Sequence, residues 1–255
     1  MMADTGEPQA LREPYAPRGE LISNRLLAAL RPRELERLTP YLRKVDLARD
    51  TLLFDCGEDV NTTHLPCHTT MISLLVVSKE GQEVEVANVG REGAIGGIVS
   101  AGFKPAYGRA VVRVPGFAFC IPTARLEDAK SQSPILADLF ARYADVLLAQ
   151  MMQSAACNAL HGVEQRYCRW LLSTHDRAGD EPIRLTQETL AQMMGVQRTT
   201  VTAVARALQD DGVIATGRGR IEILDRSALE KRACECHDAV ERHFQRLLPE
   251  VDTTD

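Results

Sequence analysis

The segment 185–206, LTQETLAQMMGVQRTTVTAVAR, constrains this chain most, because its pattern is that of two short helices joined by a tight turn. Two helices that cross steeply through a short turn need a small residue at the crossing and a turn residue that tolerates positive φ. Ala191 and Gly195 stand at those two places. Thr186 can cap the first helix, and Val201 lies on the inner face of the second. The segment therefore predicts a helix-turn-helix.

The next segment, 211–224, contains two β-rich runs around a turn of glycine and arginine, which is how a winged helix continues. The net charge of the chain is −5, so affinity for phosphate must come from a local cationic patch. Aromatic residues make up only 5%, which argues against a stacking platform for single strands. Duplex DNA is therefore the predicted ligand. The residues predicted to face it are Thr186, Gln187, Gln197, Arg198, Thr199, Thr200, Thr202, Arg206, Arg218 and Arg220.

The run GVQRTTV at 195–201, followed by LQDDGVI at 208–214, resembles the recognition helix and the start of the wing in the Crp/Fnr family of bacterial transcription regulators. That family's reading helix commonly presents Arg-Glu at its start and a further Arg one turn later. The matching positions here are Arg198, Thr199 and Ala203, so the preferred half-site should differ from the family's usual ones.

The resemblance extends through nearly the whole chain and implies an α+β fold. Its parts are an N-terminal β-roll effector domain, a long dimerisation helix and a C-terminal winged helix-turn-helix domain. The predicted boundaries are a flexible tail at 1–20, a cyclic-nucleotide-binding-like sensor domain at 21–133, the dimerisation helix at 134–160, the winged helix-turn-helix DNA-binding domain at 161–229 and a C-terminal helical tail at 230–255.

Short β-like segments punctuated by glycines run from Val45 to Val114, at a density typical of a small β-roll or barrel. The run GREGAIGG at 90–97 resembles the phosphate cradle of the family's effector domain. Members that hold cyclic AMP place Glu after the second cradle glycine and Arg-Ser or Arg-Thr before the next strand. This chain has Gly97 and Gly108-Arg109 there, and a buried cyclic phosphate without a well-placed guanidinium is costly. We therefore expect neither cyclic AMP nor cyclic GMP to bind. The residues assigned to the effector pocket are Glu92, Gly96, Gly97 and Arg109.

An apolar stripe at helical spacing lies between 133 and 154, and it consists of Leu136, Phe140, Tyr143, Leu147 and Met151. It is open to two interpretations: a helix packed on its own β-roll, or a coiled-coil-like seam between two subunits. We favour the seam, because the stripe lies between sensor and DNA-reading domain, as the family's dimer helix does. The sequence thus predicts a homodimer. Trp170, in the helix predicted to open the DNA-binding domain, is expected in the core.

Seven cysteines are scattered without a repeated spacing, and we expect them to be reduced and mostly buried. Two clusters suggest a metal site: His64, Cys67 and His68, and Cys234, Cys236 and His237. Adjacent strand residues face opposite sides, and helix positions two apart diverge by about 200°, so neither cluster converges alone on a tetrahedral ion. Combination across the fold or between subunits remains open, but we predict no metal and no cofactor. An iron–sulfur centre of the family's oxygen-sensing type is not expected, because no cysteine precedes Cys56.

Other classes of protein are disfavoured by what the sequence lacks. It has no Gly-x4-Gly-Lys or Gly-x-Ser-x-Gly pattern, which argues against an enzyme. Its apolar runs fall short of the roughly 20 residues of a membrane span, and residues 1–19 are polar, so we expect a cytoplasmic protein without a membrane partner.

The resulting prediction is a homodimeric transcription regulator that binds an inverted-repeat operator in double-stranded DNA, with RNA polymerase as a further partner. An unknown small-molecule or redox effector other than cyclic AMP is expected to control it. The alternatives are a metal- or thiol-responsive redox regulator of the same fold, and a sensor or scaffold protein without DNA binding.

Overall fold

Two antiparallel sheets form the N-terminal half of the computed structural model, which describes residues 18–99, 104–178 and 182–248. Residues 1–17 of the predicted 1–20 tail lie outside the described part of the chain. The first sheet has the order β1-β7-β3 and the second β2-β6-β4-β5. The strands are β1 (Arg43–Leu47), β2 (Leu52–Phe54), β3 (Thr62–Pro66), β4 (Met71–Val77), β5 (Glu83–Val89), β6 (Arg109–Val114) and β7 (Gly116–Pro122).

The strands pair so that β-branched and aliphatic residues share one buried core between the sheets. In the second sheet Ile72 lies opposite Val89 on one side and Val112 on the other, and all three are buried. Val and Ile fit the pleated surface well because their side chains are branched at Cβ. The predicted β-roll fold is confirmed.

Three short helices and a 3-10 turn cover one side of the roll: α1 (Arg18–Leu21), α2 (Arg25–Ala28), α3 (Pro32–Leu38) and the turn Thr39–Tyr41. The buried Asn24 caps α2 by accepting from the backbone N–H groups of Leu26 and Leu27. Its side-chain amide also donates to the carbonyls of Pro66 and Gly93, at 2.8 and 2.9 Å. One side chain therefore joins the helical cover, β3 and the cradle.

Two helices lead from the roll to the C-terminal half, α4 (Thr123–Gln132) and α5 (Pro134–Leu160). Pro134 stands at the first position of α5, where its missing N–H is not needed, and Ser133 caps the helix. The inner face of α5 packs on the roll, and the Tyr143 hydroxyl donates to the Ala94 carbonyl at 2.9 Å. A Cβ on Gly93 would lie 2.2 Å from that hydroxyl, so only glycine allows this contact.

The C-terminal half is a helical domain with a two-stranded wing. Its elements are α6 (Val163–Ala178), α7 (Gln187–Met194), α8 (Arg198–Asp210), β8 (Ile214–Gly217), β9 (Arg220–Ile223), α9 (Arg226–Arg232) and α10 (Cys236–Leu247). Ile183 bridges Ile221 of the wing, and α10 packs back along α5. In the described part of the chain, no helix combines the length and the apolar character that crossing a bilayer requires.

The two halves share a continuous apolar core. Met71 and Leu75 of β4 belong to the same buried cluster as Tyr167, Trp170 and Leu171 of α6. Trp170 is 3% exposed, as expected for a core residue, and its Nε1–H donates to the Glu85 carboxylate at 2.9 Å. The α6 helix is therefore fixed to the second sheet by packing and by a buried hydrogen bond.

Candidate DNA interface and effector cavity

The helix-turn-helix predicted from sequence is present with the expected local chemistry. Thr186 caps α7, its hydroxyl accepting from the Thr189 N–H at 3.1 Å. Gly195 ends α7 in the left-handed region with φ 64°, which glycine adopts without steric cost. Ala191 and Val201 are buried where the two helices cross. The second helix, α8, therefore presents its opposite face to solvent.

That outer face and the wing carry exposed cations. The side chains of Arg198, Arg206 and Arg220 are 67%, 82% and 59% exposed. Arg198 Nε lies 3.6 Å from Glu188 Oε2, and Arg206 Nε lies 3.8 Å from Asp210 Oδ2. Exposed ion pairs with such N···O distances restrain a side chain only weakly. These guanidinium groups are therefore free to turn toward an anionic partner.

Most of the residues predicted to face DNA are accessible to solvent. All except Gln187 and Thr200, which are half-buried, are exposed. Thr186, Gln187, Arg198 and Arg220 line a recess of about 200 Å³ between the start of α7, the start of α8 and the wing. The N-terminus of α7 opens into it, and helix N-termini favour phosphate oxygens. The arrangement suits contact with a nucleic-acid backbone beside a reading helix.

A larger cavity of about 820 Å³ lies between the roll and α5. Gly96 and Gly97, predicted for the effector pocket, line it. A Cβ on Gly97 would lie 2.3 Å from Thr123 Cγ2 and its φ is 55°, so a Glu at this position would be strained. The rest of the described lining is mainly apolar and includes Phe54, Val60, Leu74, Val76, Val86, Ile98, Val99, Tyr107, Leu147 and Met151.

Glu92, also assigned to the effector pocket, is not among the residues that line this cavity. Its carboxylate instead accepts from Arg177 Nε of α6 at 2.7 Å and from the Gly90 N–H at 3.0 Å. Burial opposes ionisation of Glu92, but the Arg177 guanidinium and the Gly90 N–H outweigh burial and lower its pKa. Glu92 therefore serves as an ionised link between the cradle and the C-terminal domain.

Arg109, likewise assigned to the effector pocket, does not line this cavity either. Its guanidinium forms two hydrogen bonds to Asp55, at 2.7 and 2.9 Å, and a further one to Glu83. The hydrogen bonds from Arg109 are the main reason why the pKa of Asp55 is lowered. Two carboxylates thus neutralise Arg109, and an anion would have to displace them. The one cation on the described cavity wall, Lys104, is paired with Glu127 at 3.0 Å.

The apolar stripe assigned to the dimer interface faces the chain's own sensor domain. Leu136, Phe140 and Tyr143 are 0%, 1% and 1% exposed and belong to the core under the roll, so a second subunit cannot contact them. Leu147 and Met151 line the cavity. For these residues the alternative interpretation, a helix packed on its own β-roll, is the right one.

A second apolar row on α5 is exposed, and we call it the outer stripe: Ala141, Leu148, Met152, Ala155 and Ala159. Leu148 is 55% exposed and Met152 is 65% exposed. The positions recur every three, four or seven residues, which places them on one face of the helix. Because α5 is apolar on two faces, the sequence pattern alone did not show which face is internal.

Four side chains of types that bind metal ions come together in the structure, although they belong to two segments that are distant in sequence. Cys157, His161, Cys234 and Cys236 have their ligand atoms within 4.8 Å of one another. The prediction that no metal site forms assumed that Cys234 and Cys236 both lie on a helix. Cys234 instead lies just before α10, and its Sγ atom is within 4.8 Å of that of Cys236. The Cys234 thiol lowers the pKa of Cys157 by hydrogen bonding to it.

The remaining histidines of the two sequence clusters have other partners. His237 interacts with Asp176 at 2.7 Å and with Asp238 at 3.1 Å. Burial lowers the pKa of His64 to about 4, so its ring is neutral at physiological pH. His68 packs its edge on Phe117, with ring centres 5.3 Å apart. These contacts are typical of structural histidines.

Comparison with known proteins assigns the C-terminal domain. A family model described as the Crp-like helix-turn-helix domain matches residues 165–232. The HTH-type transcriptional regulator Cmr of Mycobacterium tuberculosis is 40% identical over 58 residues, which are 23% of this chain and 24% of that protein. The match therefore spans about a quarter of the curated relative's length.

Solved structures resemble the chain over both halves. FixK2 from Bradyrhizobium japonicum superposes with a TM-score of 0.64 at 14% identity, over 76% of this chain and 98% of that one. A Crp/Fnr-family transcriptional regulator from Thermus thermophilus gives a TM-score of 0.60 at 21% identity, over 75% of this chain and 98% of that one. At these identities the likeness establishes the fold. Residues 165–232 are therefore similar to the Crp-like helix-turn-helix domain, and the fold of both halves resembles that of a Crp/Fnr-family transcriptional regulator.

Proposed function

We propose that the protein acts as a homodimer that reads an inverted-repeat operator through α8 and responds to an apolar small molecule in place of a cyclic nucleotide. The observation that supports DNA reading best is the exposed cationic face of α8 and the wing, set on a helix-turn-helix that the family model matches. Recognition helices of this class contact base edges with their N-terminal residues. Arg198 and Thr199 occupy that end of α8.

The outer stripe of α5 supports the dimer. A symmetric partner would place its own α5 against the same row, burying Leu148 and Met152 that are otherwise in water. Such a dimer would carry two copies of α8, and two recognition helices fit half-sites whose centres lie about 10–10.5 bp apart. RNA polymerase, expected as a further partner from the family resemblance, is part of this proposal.

The sequence preference tests the reading face. Arg198 can donate two hydrogen bonds to guanine O6 and N7, so Arg198→Ala should cost about 1–3 kcal/mol and relax selection at one guanine. Arg218→Ala, in the wing, should weaken binding to all sequences alike and flatten the salt dependence. Both variants are compared with the wild type by selection from a random duplex library and by titration at several salt concentrations.

Arg246→Ala provides a matched control, because this exposed residue lies on α10, away from the wing and α8. It should leave both affinity and selection unchanged. If the Arg198 variant selects the wild-type motif with uniformly lower affinity, Arg198 contacts phosphate and α8 does not read bases in this orientation.

The cavity supports an apolar effector. A volume of about 820 Å³ is typical of cavities that hold small-molecule ligands. Lys104, the one cation on the described cavity wall, is already paired with Glu127. Leu147 and Met151 on the cavity wall belong to the same helix as the outer stripe. Filling the cavity would therefore shift α5 and with it the alignment of two subunits.

Calorimetry is expected to detect no binding of cyclic AMP or cyclic GMP, because a cyclic phosphate would meet no unpaired cation among the described residues of the cavity wall. A neutral apolar probe such as 1-decanol should bind, and Ala106→Trp, which places a large ring on the cavity wall, should abolish that binding. A dissociation constant for cyclic AMP below about 10 μM, some 7 kcal/mol, would show that a phosphate site exists. Equal binding of decanol by the Trp variant would place the apolar site elsewhere.

A further inference from the structure

Four side chains from two distant segments converge where α5 ends. Cys157 and His161 are one helical turn apart at the end of α5, while Cys234 and Cys236 flank the turn between α9 and α10. The Sγ atoms of Cys157 and Cys234 lie 3.5 Å apart, and Cys236 Sγ lies 3.5 Å from His161 Nδ1. The three cysteines are 0%, 4% and 1% exposed. Three thiols and one imidazole nitrogen thus face a common centre away from solvent.

Two of the distances between ligand atoms match the edges of a single tetrahedral site. Bonds of about 2.3 Å to sulfur and about 2.0–2.1 Å to nitrogen imply edges of roughly 3.4–3.8 Å between ligand atoms. The two measured edges fall in that range. An iron–sulfur cluster distributes its protein ligands over two or four irons, which requires a wider spread of ligands. Thiolate and imidazole together favour Zn²⁺ over hard cations such as Mg²⁺ and Ca²⁺.

Neighbouring polar groups are placed to orient the ligands. His161 directs Nδ1 toward the thiols, and its other nitrogen, Nε2, lies 3.3 Å from Glu235 Oε1. A hydrogen bond from Nε2–H to that carboxylate leaves Nδ1 free to bind a metal, as in many zinc sites. The Gln153 side-chain amide donates to Cys236 Sγ at 3.0 Å, which suits a thiolate. Ligand set and supporting contacts therefore agree.

We propose that Cys157, His161, Cys234 and Cys236 bind one Zn²⁺ ion per chain and that the ion fastens the start of α10 to the end of α5. Four protein ligands close the coordination shell, so the site is structural and does not hold a reacting water. The α5 helix connects through Gly162 to α6, the first helix of the DNA-binding domain. Because α10 follows α6–α9 in the chain, the ion would also anchor the C-terminal end of the DNA-binding domain to α5. Removal of zinc would therefore loosen the position of the DNA-binding domain on the sensor domain.

Metal content tests the site without reference to DNA. The reduced wild-type chain, loaded with Zn²⁺ and gel-filtered, should retain one ion per chain, whereas Cys157→Ser and Cys236→Ser should retain none. Co²⁺ in place of Zn²⁺ should give the visible absorption of a tetrahedral thiolate complex. Cys56→Ser is the matched control, because Cys56 is exposed and outside the cluster. It should retain the full ion.

Two further variants separate metal binding from folding. His161→Cys supplies a fourth thiolate in place of the imidazole and should still retain one ion per chain. Glu235→Gln should also retain the ion, with about 10–100-fold weaker affinity. Chelator treatment of the loaded wild type should make Cys157, Cys234 and Cys236 newly reactive to alkylation, as mapped by mass spectrometry.

The inference is overturned if reduced wild type retains no zinc, or if the Cys157 and Cys236 variants retain as much as wild type. A Cys157–Cys234 disulfide in the freshly purified chain, with no metal taken up after reduction, would likewise replace the zinc site by a thiol pair. None of these readouts depends on DNA binding, so the proposed function stands or falls separately.

Discussion

Replacing Leu148 by Asp should convert the proposed dimer to a monomer at micromolar concentration. Leu148 is 55% exposed in the single chain and lies in the middle of the outer stripe. Losing the burial of one Leu side chain on each subunit removes about 3–6 kcal/mol, which weakens association roughly 10²–10⁴-fold. The two-fold axis would also bring two new carboxylates close together. Sedimentation equilibrium measures the change directly.

Ile135→Asp is the matched control, since Ile135 is an exposed apolar residue of the same helix that lies about 140° around the axis from Leu148. It should remain dimeric. A Leu148→Asp protein that still sediments as a dimer would remove the outer stripe from the interface. Leu147→Asp should behave differently from both, because Leu147 lines the cavity and its loss damages the fold.

Replacing Trp170 by Ala should lower the free energy of unfolding by about 3–5 kcal/mol, the usual effect of truncating a buried aromatic side chain. The residue is 3% exposed and fills the junction between α6 and the second sheet. The change also removes the indole donor from Glu85, which is left with the Ser73 hydroxyl and the Asn88 amide. Urea unfolding followed by circular dichroism is suitable, because the variant contains no tryptophan.

The loss in free energy of unfolding caused by Trp170→Ala should grow with pH. Burial raises the pKa of Glu85 above its usual value of 4.5, and hydrogen bonds from Ser73 and Trp170 partly counter the rise. A carboxyl whose pKa is higher in the folded state stabilises the fold below its unfolded pKa, and this stabilisation is lost as the pH rises through the folded value. Without the indole N–H the folded pKa rises further, so the loss at pH 8 should exceed the loss at pH 5.

Two controls isolate the carboxyl group. Trp170→Phe keeps an aromatic ring but lacks the indole donor. Its loss in free energy of unfolding should be smaller than that of Trp170→Ala but equally dependent on pH. Combining Trp170→Ala with Glu85→Gln should remove the growth of the deficit, because Gln does not ionise. A deficit that is constant from pH 5 to pH 8 would show that Glu85 does not sense the indole.

The parts of the molecule that sequence predicted well are those in which neighbours along the chain determine the structure. Thr186 caps a helix three residues away, and Gly195 takes a left-handed conformation that depends only on its own lack of a side chain. Alternation of apolar residues gave the β-roll for the same reason. Local chemistry of this kind is readable without knowledge of the tertiary contacts.

The contacts that the sequence did not indicate are between residues that are far apart along the chain. Arg109 and Asp55 are separated by 54 positions, and Arg177 and Glu92 by 85, so nothing near Arg109 or Glu92 indicated that an opposite charge would claim it. The proposed zinc ligands Cys157 and Cys234 are separated by 77 positions. Tertiary packing also decided which apolar face of α5 is internal. Such pairings become visible only when the chain is folded.

The core that β4 and α6 share limits how this regulator could have been assembled or could be rebuilt. A fragment cut at Gly162 would leave Met71 and Leu75 on one piece and Leu171 on the other facing water. A chimera that joins a different N-terminal domain to this C-terminal domain must therefore supply apolar residues that pack on α6. It must also supply a carboxylate that accepts the hydrogen bond from the Trp170 indole. Because β4 and α6 share one core, a substitution on one side of this contact should be compensated by a substitution on the other.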